Sequence, residues 1–114
     1  MTRLTLALLT IAASALLAPT SASAAWLFCV AESGSGADAW ISDVFPAEQD
    51  REHMEAAMQA YLKRHGVTRP VAQCPAPKED KTEMVNAQFV ASEFQRKLGR
   101  KLHEMPAAEF EPRR

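Results

Sequence analysis

Cys29 and Cys74 are the two cysteines of this 114-residue chain, and they carry the most definite chemistry in it. A redox pair needs Cys-x-x-Cys, whereas these two lie 45 positions apart. Lipid attachment at Cys29 needs small residues just before it, and those places hold Leu27 and Phe28. The expected outcome is a single Cys29–Cys74 disulfide, which the chain-entropy model credits with about 4 kcal/mol. Nucleophilic catalysis has little to draw on. Ser35 stands between Gly34 and Gly36, but no Gly-x-Ser-x-Gly elbow surrounds it. The same glycines make a phosphate cradle only when a helix follows, and here a strand pattern follows. His53 and His65 are 12 positions apart, which turns them about 120° apart around a helix. His103 belongs to another segment, so no metal ligand set is read. No catalytic residue, metal or cofactor is expected.

The carboxylates Glu48, Asp50 and Glu52, and Glu79, Asp80 and Glu83, crowd two helix starts, where the helix dipole favours anions. Asp43 is the exception. It interrupts an apolar strand, which suits a cross-strand polar partner or an exposed edge. The basic residues Arg96, Lys97, Arg100 and Lys101 gather where a helix ends, again with the dipole. A formal net charge of −1 excludes an electrostatic nucleic-acid binder.

These residues must be positioned by a small set of elements. Residues 25–32 and 39–45 are aromatic-rich and β-branched, with Ser33-Gly34-Ser35-Gly36-Ala37-Asp38 between them, and predict an antiparallel hairpin. Pro46 marks the start of a first helix, on which Met54, Ala57, Met58, Tyr61, Leu62 and His65 form one stripe ending at Gly66. Residues 67–75 are hemmed by Pro70 and Pro75 and read as a brief edge strand carrying Cys74. Asp80 and Glu83 open a second helix with the stripe Met84, Ala87, Ala91, Phe94 and Leu98, closed by Gly99. Residues 100–105 offer a last strand or an irregular arm.

The fold class is therefore α+β: a small antiparallel or mixed sheet in the order β-β-α-β-α, with room for a final strand. A right-handed crossover sets the third strand beside the first, antiparallel to it, so that the cysteines face each other. Both helices are expected on one sheet face.

The ends of the chain have separate readings. Met1-Thr2-Arg3, the apolar run from Leu4 to Leu17 and the close Ala22-Ser23-Ala24 form a secretory signal peptide over residues 1–24. The run is too short to remain as a membrane-spanning helix. Cleavage near Ala24 leaves one domain over residues 25–105 in the periplasm or outside the cell, with no membrane anchor. Residues 106–114 are expected to be a disordered tail.

Cys29 in a first strand, Ser42-x-Val44-Phe45 closing a second, Tyr61 and Gly66 ending a helix and Cys74 opening the next unit together resemble small exported bacterial single-disulfide domains of unassigned function. The resemblance runs from Cys29 to about Gly99. It implies a fold and no activity. Relatives of this kind end in a clear strand after the second helix, a point at which residues 100–105 depart from them.

Strict alternation places Trp40, Ser42 and Val44 on one face of their strand, and Trp26, Phe28 and Val30 opposite Leu27, Cys29 and Ala31. With both helices on one face, a large apolar set stays open to another protein or a second copy. Trp26, Trp40, Ser42 and Val44 are accordingly the candidate interaction surface, with the 33–38 loop at its rim. The function expected is a non-catalytic protein-binding module. The alternatives are a small envelope-acting hydrolase and a periplasmic stress or chaperone-like protein, the latter suggested by the five methionines.

Overall fold

A computed structural model describes residues 25–111, so the signal-peptide reading of residues 1–24 lies outside the described residues. The elements are β1 (Trp26–Leu27), β2 (Val30–Glu32), β3 (Asp38–Ser42), β4 (Phe45–Pro46), α1 (Arg51–Arg64), β5 (Val71–Gln73), α2 (Lys81–Lys97) and β6 (Lys101–Met105). A 3-10 turn at Ala107–Glu109 follows. The chain is α+β, with a four-stranded sheet in the order β5-β2-β3-β6 and a two-stranded extension, β1-β4. Strand β2 is antiparallel to both β3 and β5, and β6 runs parallel to β3. The register that pairs Val30 with Gln73 sets Cys29 opposite Cys74, and the two are joined in a disulfide.

The helix starts follow their capping chemistry. Asp50 accepts from the His53 N–H at 2.8 Å and begins α1, so Pro46 belongs to β4 instead of opening the helix. Asp80 accepts from the Thr82 N–H at 2.8 Å at the start of α2. Gly99, at φ 82°, ends that helix in the left-handed conformation. Residues 101–105 form a full strand and not an irregular arm.

The two helices cover opposite faces of the sheet, which corrects the expectation that they share one. Met54, Met58 and Leu62 of α1 pack with Leu27, Cys29, Ala31 and Phe45 on the front face. Met84 of α2 packs with Phe28 and Ile41 on the back, with Val30, Val44, Ala87 and Ala91 around them. The reason is the strand pattern itself. Alternation gives each face large apolar side chains, and leaving Phe28 and Ile41 in water would forfeit about 1.5–3 kcal/mol apiece.

The segment just after β6 is a second correction. Residues 106–111 are not a disordered tail: Ala107 and Phe110 are buried in the front core, with the Phe110 ring edge-on to Phe45. Arg100 is likewise more than a solvated helix-end cation. Its guanidinium donates to Gly36 O, to Glu32 and to the side chain of the buried Gln95, tying the hairpin loop to α2.

Candidate interaction surface

The four residues expected to form one surface are dispersed, and the cause is a one-residue bulge. Leu27 pairs with Phe45, whereas Val30 pairs with Ile41, so Ser42 and Asp43 together oppose Cys29. Strict alternation fails at that point. Trp40 remains on the front face, but Val44 is thrown to the back with Phe28 and Met84. Ser42 is fully buried. Trp26 lies on the back face with its ring under Lys81 Nζ at 4.7 Å.

Several backbone groups at the bulge find partners outside the strand ladder. The Cys29 N–H donates to Ser42 Oγ at 2.9 Å, and Ser42 N donates to Cys29 O at 2.9 Å. The Ser42 carbonyl accepts from Gln88 Nε2 of α2 at 2.6 Å. Asp43, the carboxylate that interrupted the strand pattern, accepts from the Ala107 N–H at 2.8 Å and so starts the 3-10 turn. Its role is structural.

Trp40 stacks on His103 of β6 at 5.2 Å between ring centroids, and His103 Nε2 meets Asp38 Oδ1 at 3.0 Å. Half-buried and fixed from the side, Trp40 is a packed sheet residue.

The large apolar side chains left in water are elsewhere, on α2. Val85, Phe89, Val90, Phe94 and Leu98 are all exposed, with Phe89 and Val90 near two-thirds, at 63% and 64%. Helical phase divides them into two flanks about the contact line of Met84, Ala91 and Gln95. Val85 and Phe89 lean toward β6 over a groove of about 690 Å³, which Arg96, Glu104 and Pro106 also line. Val90, Phe94 and Leu98 lean the other way, toward β2 and β5. That half of the back face carries the exposed Val71 and a trough of about 410 Å³ lined by Phe28, Val30, Gln73, Pro75 and Ala91, with Arg51 and Glu55 of α1 also on it. The sequence pattern marked Phe94 and Leu98 as core. They are not, because α2 sits over the β3–β6 side and three residues of β5 are too short a platform to widen the contact.

No family model matches the sequence, and neither the curated proteins nor the solved structures yield a match. Among the described residues no helix is long and apolar enough to cross a membrane.

Proposed function

We propose that this chain is an exported, non-catalytic protein-binding module whose docking surface is the α2 flank made by Val90, Phe94 and Leu98 together with Val71. One observation carries the reading: the large apolar residues of a well-capped helix stand in water beside an uncovered half of the sheet. Exposed apolar groups gathered in one place, next to a trough that admits a side chain, are the usual form of a protein-binding face. Export is supported by the disulfide, since such bonds persist in oxidising compartments, and by the leader-like first 24 residues.

The test is in-cell cross-linking of the full chain expressed with its own leader, comparing wild type with Phe94→Ser and Trp40→Ala. Phe94 is 56% exposed, so the serine variant keeps the fold. The expected result is one defined partner, retained by Trp40→Ala and lost by Phe94→Ser. Loss with Trp40→Ala alone would move the surface to the front face. An empty wild-type capture would overturn the binding reading.

A further inference from the structure

We propose that two copies of this protein dimerise through β6, whose edges pair antiparallel about a two-fold axis passing through His103. The proposal uses the flank of α2 opposite the one assigned above and stands independently of it.

The two edges of the sheet are treated differently. Along β5, α1 closes the open side: Gln59 Oε1 accepts from the Ala72 N–H at 2.8 Å, Glu55 Oε2 accepts from the Cys74 N–H at 2.9 Å, and Arg51 donates to Cys74 O at 3.2 Å. Such covering is how proteins keep an edge from recruiting another strand. Along β6, the Lys101 N–H donates to Ala37 O, which turns the backbone of Lys101, His103 and Met105 toward β3. The N–H and C=O of Leu102 and Glu104 therefore point away from the sheet. Among the described residues no side chain bonds them.

Only one two-fold register satisfies all of these groups. An axis at Glu104 sets the two Glu104 carboxylates opposite each other and pairs Leu102 with Pro106, which has no N–H to give. An axis at Leu102 pairs Glu104 with Arg100, whose N–H already donates to Gln95 O at 3.2 Å. An axis at His103 pairs Leu102 of each copy with Glu104 of the other. Each of these two pairs exchanges both of its backbone hydrogen bonds.

The same rotation supplies complementary surfaces above the strands. Helix α2 lies over β3 and β6, so its two copies come to rest about 10 Å apart, the spacing of packed helices. The facing flanks carry Val85, Phe89 and Arg96. Because the chain turns directly from α2 into β6, Arg96 lies at the Leu102 end of the strand. That is the end where Glu104 of the second copy arrives. Among the described residues Arg96 pairs with Glu93 alone, in an exposed contact at 2.9 Å within the same helix. A short peptide added to β6 would gain the strand bonds but neither the second helix nor the reciprocal Arg96–Glu104 pairs, which is why a second copy is the occupant that fits.

Sedimentation equilibrium of the purified exported full chain, across a wide concentration range, reads the dimer directly. Arg96→Glu is expected to weaken it by about tenfold or more, since two symmetry-related pairs reverse together, and the added change Glu104→Arg to restore it. The register has its own test. His103→Cys sets two thiols across the axis at a non-hydrogen-bonded pair, about 4.5 Å between Cα atoms, and should give a covalent dimer on mild oxidation, whereas Lys101→Cys should not. A chain that stays monomeric throughout, a dimer indifferent to Arg96→Glu, or cross-linking at Lys101 and not at His103 would each overturn the proposal.

Discussion

The backbone N–H of Cys29 donates not to a strand carbonyl but to the hydroxyl of Ser42, at 2.9 Å, in the interior of the sheet. This bond sits where the hairpin changes register and beside the disulfide, so it fixes both. Ser42→Ala removes the acceptor and leaves a buried donor unpaired. The expected loss is about 1–3 kcal/mol of unfolding free energy with the disulfide intact, read by urea denaturation. An unchanged midpoint would mean that the bulge finds another acceptor.

The same bulge marks where the sequence ceased to be legible. Alternation along residues 26–31 predicts the observed faces one by one: Trp26, Phe28 and Val30 at the back, Leu27, Cys29 and Ala31 in front. On the second strand it holds through Ile41 and then slips, because nothing in Ser42-Asp43-Val44 announces an extra residue. Asp43 was the one visible irregularity, and its partner lies 64 residues away, at Ala107. The disulfide and the placement of the third strand beside the first were readable, since two cysteines allow one intramolecular pairing and crossover handedness does the rest. The outward flanks of α2 were not, because periodicity identifies an apolar stripe without saying how much sheet lies beneath it.

Gly34 is required by its neighbours, not by its backbone angles. A Cβ there would stand 2.9 Å from the Arg69 Cβ and 3.0 Å from the Thr68 carbonyl oxygen, and the Gly34 N–H already donates to that oxygen at 2.9 Å. Gly34→Ala should therefore push the hairpin loop off the segment before β5 and cost about 1–3 kcal/mol. Gly36→Ala, by contrast, meets nothing within 4 Å and suffers only from its φ of 80°. Amide exchange at Gly34 distinguishes the two, rising sharply in the first variant alone.

Tyr61, the only tyrosine of the chain, donates its hydroxyl to Glu109 at 2.7 Å. That hydrogen bond, with the nearby carboxylate charge, raises the phenol above its ordinary pKa, while Arg64 beside the ring pulls the other way. A raised folded-state pKa means that the contact contributes fully below the unfolded-state value and is lost as pH climbs through the folded one. Ultraviolet titration should give a single phenolate transition, above that of the unfolded chain, and Glu109→Ala should bring it down. Coincident midpoints in the two proteins would show that the bond is not held in solution.

The segment 106–111 is part of the core by the same reasoning. Phe110 is 5% exposed and meets Phe45 at 6.5 Å, edge to face. Asp43 holds the start of its turn through the Ala107 N–H. Phe110→Ala should cost about 3–5 kcal/mol, a loss typical of a deleted core ring. Asp43→Ala removes one exposed acceptor and should cost about 1 kcal/mol. The two changes act on one docked segment and should differ in kind as well as size. Without the ring, limited proteolysis should cut after Met105 in otherwise folded protein, and the front core around Phe45 should loosen. Without the carboxylate, the segment should stay docked and resist cutting. Equal protease sensitivity in both variants would show that the ring alone does not anchor residues 106–111.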